Sequence, residues 1–420
     1  MIGAPHRPKV APMPGTVRLP LLCAALLLGG CLGAPPPVPP SPPPAAAPAA
    51  RDDGGARWWT DRVFYEIFVR SFADSTIGPL ANDGIGDLQG LVEKLDYLND
   101  GDPATTSDLG ITGIWLMPIN PSPSYHGYDV TDYYGINPQY GTRADFERLL
   151  AECHRRGIRV IVDLVLNHTS SAHPAFRRAL AGDPKYRDWY LFVDPDEVPQ
   201  SLGPWGQVVW QKSGDQRYFG LFWSGMPDLN YRNPQVTAEA YRIADFWLDE
   251  MHVDGFRLDA IRHLIEDGDV MVDTPGTLAW LKGFQAHVHS GGRRPLVVGE
   301  VWTHTETVSE YVRQGTLDAA FEFDLAGAIL DAADSGTRDK LAYTLGNVAA
   351  SYPRNQFASF VTNHDQDRIA SVLRQDPAKL KLAAALLLTG PGVPFLYYGE
   401  EIGQVGAKPD EMIRNPMPWT

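Results

Sequence analysis

Acidic side chains recur at the ends of short apolar segments along this sequence. Asp163 lies in DLVLNH, Asp259 in GFRLDAIRH, Glu300 in VVGEVW and Asp365 in FVTNHDQDR. Converging carboxylates suit the cleavage of a glycosidic bond, because one carboxyl group protonates the leaving oxygen while another attacks or stabilises an oxocarbenium-like centre. Each residue taken alone is better explained by a structural role. Their recurrence at four predicted strand ends indicates acid–base chemistry on a sugar.

The segment GFRLDAIRH (255–263) places a positive and a negative charge two residues apart on a predicted buried strand. Its apolar residues alternate with Arg257 and Asp259, so the two charges share one face. Burying an ion pair costs several kcal/mol per ion unless geometry and further hydrogen bonds offset it, which indicates a role beyond stability. Arg257 is expected to keep Asp259 ionised and oriented, as a nucleophile requires. Glu300 follows an apolar run whose dry surroundings are expected to raise its pKa, as an acid requires.

Eight apolar runs separated by helical patterns are predicted to be the strands that position these side chains. Such alternation predicts an α/β fold of the (β/α)8 TIM barrel type, with a doubly wound sheet as the alternative. In a barrel the chemistry lies at the C-terminal ends of the strands. The runs are VFYEIFV (63–69), GIWLMP (113–118), IRVIVDLVL (158–166), VDGFRLD (253–259), PLVVGEV (295–301), DAAFEFD (318–324), FASFVTN (357–363) and VPFLYYG (393–399).

One connection is much longer than the others. Residues 168–233, after the third predicted strand, are rich in Pro, Gly, Trp and Tyr and exceed the length of a simple βα loop. They predict an inserted subdomain over the C-terminal face of the barrel. The next helix is predicted over 236–251, where apolar residues recur at helical spacing.

The first 56 residues differ in composition from the rest of the chain. A basic region precedes LPLLCAALLLGGC, an apolar run too short to span a bilayer, which predicts a signal peptide over residues 1–30. The small residues before Cys31 resemble a bacterial lipoprotein cleavage box, so we expect lipidation of Cys31, with ordinary secretion as the alternative. The Pro/Ala-rich residues 31–56 predict an extended linker. We therefore expect an extracytoplasmic, lipid-anchored protein whose folded domain spans 57–420.

The composition is that of an acidic, folded protein. Of 420 residues, 44% are hydrophobic, and a net charge of −15 argues against binding nucleic acid or an anionic membrane through bulk charge. Beyond the N-terminal segment Cys153 is the only cysteine, which predicts a core residue and no catalytic thiol. No glycine-rich phosphate loop follows a predicted strand. We expect a monomer without an organic cofactor.

Five motifs in order resemble the conserved regions of the α-amylase family, glycoside hydrolase family 13. They are DLVLNH (163–168), MPDLN (226–230), GFRLDAIRH (255–263), GEVW (299–302) and FVTNHD (360–365), and the similarity includes SPSYHGYDVTDYY (122–134). The MPDLN segment resembles the intermediate type between oligo-1,6-glucosidases and neopullulanases. Members of the family normally continue with a last barrel helix and a β-sandwich domain. We expect both to be missing from this sequence.

The resemblance implies a catalytic role for three of the carboxylates. Asp259 matches the nucleophile of the family, Glu300 the general acid/base, and Asp365 the third carboxylate, which binds sugar hydroxyls. Arg257 matches the arginine that orients the nucleophile. The implied reaction retains configuration, with the nucleophile and acid/base carboxyls about 5–5.5 Å apart.

The resemblance also implies residues that contact or support the sugar at the cleavage subsite. Tyr128 matches the aromatic platform beneath it, and His168 and His364 match histidines that bond to it. Asp163 matches a structural acid at the third strand. His263 matches a position that borders the leaving-group sugar.

Internal cleavage of α-1,4 bonds in starch, glycogen or maltooligosaccharides is the activity that the resemblance favours. One alternative is glucosyl transfer or isomerisation within the same family, as in a trehalose synthase, which needs the same catalytic residues. Another is a non-catalytic glycan-binding surface lipoprotein. Four tryptophans are candidates for stacking on sugars, namely Trp115, Trp205, Trp210 and Trp223.

A calcium ion is the cofactor that the resemblance implies. NDGIGDL (82–88) resembles the latter half of a family calcium loop, and oxygen ligands on a glycine-rich turn suit that ion. The insertion TIGPLA (76–81) interrupts the pattern, leaving Asp83, Asp87 and Asp74 as candidate ligands and a solvated turn as the alternative. A second family site implies Asn167 and the His263 carbonyl as ligands.

Overall fold

The computed structural model describes residues 57–419, so the predicted signal peptide, Cys31 and the predicted linker lie outside the described residues. Eleven strands form within this range. They are β1 (Phe64–Ile67), β2 (Gly113–Leu116), β3 (Arg159–Leu164), β4 (Phe192–Val193), β5 (Trp210–Ser213), β6 (Gln216–Phe219), β7 (Gly255–Leu258), β8 (Leu296–Gly299), β9 (Ala319–Phe321), β10 (Phe357–Ser359) and β11 (Val393–Tyr397).

Eight of these strands close into a parallel barrel in the order β1, β2, β3, β7, β8, β9, β10, β11, with β11 paired to β1. Each barrel strand lies inside one of the eight predicted runs, so the predicted (β/α)8 barrel is confirmed. The register sets Asp163 on β3 beside Arg257 on β7. The two charged side chains therefore stand at the same level of the barrel wall.

Helices alternate with the strands and cover the outside of the barrel. Several begin at a residue that caps the helix or fixes its first turn: Thr142 and Asp145 form a capping box, and Pro234, Pro275 and Pro377 occupy first helical positions. The helices are α1 (Val69–Phe72), α2 (Leu88–Glu93), α3 (Leu95–Leu98), α4 (Arg143–Arg155), α5 (Pro174–Leu180), α6 (Pro234–Asp245), α7 (Pro275–Val288), α8 (Thr305–Arg313), α9 (Phe323–Ser335), α10 (Asp339–Ser351), α11 (Ile369–Val372), α12 (Pro377–Thr389) and α13 (Asp410–Ile413).

The predicted helix over 236–251 consists of two parts. An α-helix runs to Asp245, and one π-helical turn, Phe246–Glu250, continues it. The apolar stripe read from the sequence remains buried through both parts, as Val236, Ile243 and Trp247 show. The expected core face is therefore correct although the hydrogen-bond pattern changes along the helix.

The long connection between β3 and β7 forms a layer of its own. It contains α5 and a three-stranded antiparallel sheet in the order β4, β6, β5. An isolated bridge between His168 and Asp228 ties the two ends of this connection together close to the end of β3. The connection therefore leaves and rejoins the barrel beside the strand ends.

The core lies in two layers, one inside the barrel and one between strands and helices. Inside, large aromatic rings fill the barrel, and Phe64 and Phe395 stack with centroids 4.5 Å apart. Outside, Cys153 on α4 is fully buried with apolar neighbours, as expected for a core residue. Within residues 57–419, no helix combines the length and apolarity needed to cross a membrane.

Candidate active site

A cavity of about 740 Å³ opens at the C-terminal ends of the barrel strands. The three carboxylates predicted to be catalytic all line it. Asp259 follows β7, Glu300 follows β8, and Asp365 lies beyond β10. Because parallel strands end on the same rim of a barrel, residues far apart in the sequence converge here.

The Arg257 guanidinium links three acidic side chains at the floor of this cavity. Its Nη1 lies 2.9 Å from Asp163 Oδ1 and 2.5 Å from Asp259 Oδ1, and its Nη2 lies 3.0 Å from Glu300 Oε2. The arginine side chain is only 1% exposed. Such a planar fork of donors holds several carboxylates in fixed orientations. The predicted contact of Arg257 with Asp259 is present, and Arg257 also bonds to Glu300.

The backbone after Asp259 turns sharply at the end of β7. Ala260 adopts a left-handed conformation, with φ 49° and ψ 32°, that a residue with a Cβ rarely takes. This turn directs the Ala260 N–H at Glu300, to which it donates a hydrogen bond of 3.1 Å to Oε2. The segment that carries Asp259 therefore also orients Glu300.

Burial changes the acidity of the carboxyl groups at this floor. Burial raises the pKa of Glu300, and the nearby Asp259 and Asp365 raise it further, while Arg257 opposes the shift. The raised pKa predicted for Glu300 is therefore confirmed. Burial likewise raises the pKa of Asp163 to about 7, although the Arg257 charge lowers it. In Glu300 this shift favours the protonated form that a general acid needs.

Tyr128, His364 and Asp365 form one hydrogen-bonded group on the wall of the cavity. The Tyr128 hydroxyl lies 2.6 Å from His364 Nε2, and the two rings stack with centroids 5.5 Å apart. His364 Nε2 also lies 3.3 Å from Asp365 Oδ2. Arg414 Nη2 donates to Asp365 Oδ1 at 2.7 Å. Burial alone would raise the pKa of Asp365, but the charges of His364 and Arg414 hold it below its ordinary value.

The other two predicted histidines line the cavity in a neutral state. Burial lowers the pKa of both His168 and His263. His168 Nε2 lies 3.1 Å from the Tyr128 carbonyl oxygen, and His263 Nδ1 lies 3.0 Å from the Met271 carbonyl oxygen. These bonds fix the rings at the positions that the sequence predicted, beside the cavity.

The four candidate tryptophans divide into two pairs. Trp205 and Trp223 line the cavity and are 63% and 49% exposed, so their rings are available for stacking. Trp115 lies inside the barrel against Phe321, and Trp210 packs on Phe219 in the inserted sheet. Trp115 is therefore a core residue, and Trp210 is a partly buried residue packed against the small core of the inserted sheet.

The sequence analysis did not identify several residues of the site. The cavity wall also includes His126, Trp302, Asp410 and Arg414. Glu66 on β1 contacts His364 from inside the barrel. Glu66 did carry a signal, because a charge in the middle of VFYEIFV is as unusual as Arg257 in its own strand. Arg414 lies in an irregular segment after β11 and carried none.

The predicted calcium loop near β1 is held together by hydrogen bonds to its acidic side chains. Asp74 accepts from the Asn82 and Gly84 amides, and Asp87 accepts from Gly90 N and Ser75 Oγ. Asp83 is exposed and accepts from the amide two residues later. Across residues 57–419, no three His, Cys, Asp or Glu side chains gather as a possible metal site. These aspartates do not fit a metal site by themselves.

The second implied calcium position fits a cation better. The side-chain oxygen Oδ1 of Asn167 is buried without a partner, while its Nδ2 donates to Asp228 Oδ2 at 3.0 Å. Burial and the charge of Glu266 raise the pKa of Asp228, and burial raises that of Glu266 to about 7. Two acids and an unpartnered amide oxygen are hard ligands suited to calcium, which would neutralise the buried negative charge. Asp228 is therefore a candidate for the remaining ligand, which the sequence analysis could not place.

Comparison with known proteins agrees with this geometry. A family profile described as "Alpha amylase, catalytic domain" matches residues 66–419. The chain is 42% identical over 368 residues to "Alpha-amylase 3" of Dictyoglomus thermophilum, covering 86% of this chain and 68% of that protein. It is 34% identical over 363 residues to a 4-alpha-glucanotransferase of Thermotoga maritima, covering 84% of this chain and 76% of that protein.

A solved structure extends the comparison to the whole described domain. The crystal structure of an α-amylase from H. orenii matches with a TM-score of 0.78 and 46% sequence identity, covering 86% of this chain and 72% of that one. The barrel, the order of the motifs and the extent of the profile match all agree. The chain therefore belongs to the α-amylase family, glycoside hydrolase family 13, and is a glycoside hydrolase.

Proposed function

We propose that this enzyme is a retaining α-amylase that cleaves internal α-1,4-glucosidic bonds of starch, glycogen or maltooligosaccharides. The observation that carries the proposal is the contact of one guanidinium with both Asp259 and Glu300. A shared cation keeps two carboxyl groups close and gives them fixed orientations. Retention requires such proximity, because the nucleophile must reach the anomeric carbon while the acid reaches the leaving oxygen.

Catalysis by these residues proceeds in two steps. Asp259 attacks the anomeric carbon as Glu300 transfers its proton to the glycosidic oxygen, so the bond to the leaving sugar breaks and a glycosyl ester forms. Glu300, now a carboxylate, takes a proton from water, whose oxygen displaces Asp259 and restores the configuration. The raised pKa of Glu300 supports the first step because it favours the protonated form that donates the proton.

The remaining residues of the wall bind the sugar whose bond is cleaved. Asp365 accepts hydrogen bonds from sugar hydroxyls, and the charges of His364 and Arg414 support its ionised form. Tyr128 provides the platform beneath the ring. Trp205 and Trp223, which are exposed at the cavity, stack on neighbouring glucosyl units. A cavity that is open at its mouth and lined by aromatic rings suits internal cleavage of a long chain.

Transfer to a sugar acceptor is the second candidate activity. It is supported by the similarity to the Thermotoga maritima protein, whose name describes a glucanotransferase. Transfer uses the same ester of Asp259 but replaces water with an acceptor hydroxyl in the second step. The MPDLN segment, which the sequence reading assigns to an intermediate type with broad specificity, favours hydrolysis.

The activity is tested by incubating the full chain with soluble starch and separating the products by chromatography. We expect maltooligosaccharides from the parent and none from Asp259→Asn or Glu300→Gln. Glu322→Gln is a matched control, because Glu322 is also a buried acid but bonds Thr305 and Tyr352 away from the cavity. Products longer than the substrate from maltotriose would favour transfer. A folded parent that yields no product from any α-glucan would refute the proposal.

We also propose a structural calcium ion held by Asn167, Asp228 and the His263 carbonyl, with Glu266 nearby. The ion supplies positive charge to a buried acidic cluster, and stability is the property that reports it. The pKa values of Asp228 and Glu266 in the folded state lie above their ordinary values, so ionisation of these groups opposes folding. The free energy of unfolding therefore falls as pH rises through about 7. Calcium is expected to raise the unfolding midpoint more at pH 8 than at pH 5. Unchanged midpoints in excess chelator at both pH values would contradict this.

The location of the enzyme is proposed from the sequence alone. The signal peptide and Cys31 predict a lipoprotein that presents the enzyme outside the cytoplasm of a bacterium, and Pro-rich residues 31–56 serve as the spacer. Cys31→Ala is expected to release the protein from the membrane fraction. A protein that stays in that fraction after the substitution would contradict the lipid anchor.

A further inference from the structure

Glu66 is a buried acid inside the barrel. Within residues 57–419, the one ionisable side chain to which it is hydrogen-bonded is His364. Glu66 lies on β1 and is 2% exposed, among rings that fill the barrel. Its Oε1 lies 2.5 Å from His364 Nδ1. In the barrel wall it is paired in register with Trp115 and Tyr397, neither of which carries a charge at neutral pH. A carboxylate in this setting is costly unless a positive charge compensates it.

His364 connects Glu66 to the residues that face the substrate. Its Nδ1 points to Glu66, while its Nε2 points to the Tyr128 hydroxyl at 2.6 Å and to Asp365 Oδ2 at 3.3 Å. The Tyr128 hydroxyl in turn lies 3.1 Å from Asp163 Oδ2, to which it donates. The imidazole therefore stands between an acid inside the barrel and the cavity wall.

Counting donors and acceptors along this chain favours a charged imidazole. Arg257 Nη1 donates to both oxygens of Asp163, so Asp163 is left to accept from the Tyr128 hydroxyl. With its one proton used on Asp163, the Tyr128 oxygen is left to accept from His364 Nε2. Glu66 as a carboxylate can only accept, so an imidazolium at His364 satisfies both contacts, with Glu66 as the partner of the proton on Nδ1.

The groups around the imidazole are consistent with this assignment. Burial opposes its charge, but Asp365 and Glu66 outweigh burial and raise the pKa of His364, while Arg414 opposes the shift. Glu400 is the other acid near Glu66, and burial raises its pKa to about 7. The edge of Trp115 packs against the ring and contributes no full charge.

We propose that Glu66 is a positioning residue that keeps His364 protonated and aimed at Tyr128 and Asp365, and so extends the catalytic group into the barrel interior. It touches no substrate and acts through His364. The inference rests on the proposed function for its kinetic consequences. Loss of the Glu66 charge would leave a neutral imidazole, reverse the Tyr128 hydrogen bond and remove positive charge from beside Asp365.

The test compares Glu66→Gln with the parent and with the matched control Glu322→Gln. The glutamine keeps the size of the side chain and an acceptor oxygen for Nδ1–H but removes the charge. The proton of His364 then leaves at lower pH. Its loss adds to that of the Glu300 proton in the alkaline limb of kcat, and this limb is expected to move down by about one pH unit. The rate at neutral pH is expected to fall by about 10²-fold, as for a misplaced catalytic group. Glu322→Gln should change neither.

A double-mutant cycle and a titration complete the test. In the His364→Asn background Glu66→Gln should have no further kinetic effect, because the residue it acts through is gone. The imidazole resonance that His364→Asn removes from the NMR spectrum should titrate at lower pH in Glu66→Gln than in the parent. This titration does not depend on activity, so it decides the proposal even for a parent that is inactive on α-glucans.

Three results would overturn the proposal. One is an unchanged His364 titration in a folded Glu66→Gln variant. Another is a full kinetic effect of Glu66→Gln in the His364→Asn background. The third is a variant that, like Glu322→Gln, only lowers the unfolding midpoint and keeps the pH profile of the parent.

Discussion

Arg257→Gln is the substitution whose effect can be worked most fully from the structure. The arginine side chain is 1% exposed and compensates Asp163, Asp259 and Glu300 at once. Removing one partner of a buried ion pair costs about 3–5 kcal/mol. Because three acids lose the same partner, we expect the upper part of that range at pH 8. At about 2 °C per kcal/mol for a domain of this size, the unfolding midpoint should fall by about 8–10 °C.

The pH dependence distinguishes this electrostatic cost from a simple packing defect. Burial already raises the pKa values of Asp163 and Glu300, and Arg257 is the charge that lowers them. Without Arg257 both values rise further. A carboxyl group whose folded-state pKa exceeds its unfolded value opposes folding once ionised, so its cost appears as pH rises. The stability difference between parent and variant should therefore widen from pH 5 to pH 8.

The assay is thermal unfolding of the parent, Arg257→Gln and Arg143→Gln at both pH values. Arg143 lies exposed on α4, where it pairs with Glu147 at 2.8 Å, and its replacement should leave the midpoint unchanged. Hydrolysis of starch by Arg257→Gln should fall by about 10²-fold or more, since the two carboxyl groups proposed to be catalytic lose their orienting contact. A stability loss equal at pH 5 and pH 8 would refute the electrostatic reasoning.

Three further results follow from the site. The alkaline limb of kcat/KM should lie above the ordinary pKa of a glutamic acid, because burial raises that of Glu300; a limb near pH 4.5 would contradict this assignment. Arg414→Gln should move the acid limb to higher pH, because Asp365 then loses a charge that lowers its pKa; an unmoved acid limb would show that Arg414 does not act on Asp365. Trp205→Ala should raise KM for long maltooligosaccharides by about 5-fold to 10-fold, which corresponds to about 1–1.4 kcal/mol of lost binding free energy. Tyr343 is exposed on α10, away from the cavity, and Tyr343→Ala should leave KM unchanged. Equal KM values for parent and Trp205→Ala would exclude stacking on that ring.

The barrel and its three catalytic candidates were predictable because they depend on local patterns. Each strand is a short apolar run, and each carboxylate follows such a run, so strand direction alone places Asp259, Glu300 and Asp365 on one rim. The tryptophans were not assignable in this way. Barrel strands are buried on both faces, so alternation does not tell whether Trp115 points inward or outward.

The supporting contacts depend on the tertiary fold and could not be predicted from the sequence. Glu66 meets His364 across 298 positions, and Asn167 meets Asp228 across 61. Arg414 reaches Asp365 from an irregular segment with no periodic pattern. Such pairs form only when the strand order and register of the whole sheet are set. A sequence pattern identifies unusual residues but does not show which of them contact each other in the fold.

The Arg257 contacts also bear on how the enzyme gains and loses activity. One guanidinium on β7 joins acids from β3 and from the ends of β7 and β8, and the Glu66 to His364 bond joins β1 to the segment after β10. Strands β3, β7 and β8 are neighbours in the barrel, whereas β1 and β10 come together only when β11 pairs with β1. A partly folded chain with an open ring therefore lacks the Glu66 to His364 contact, and the site is complete only in the closed barrel. Activity should disappear with the first cooperative opening of the ring, so inactivation and unfolding should share one transition.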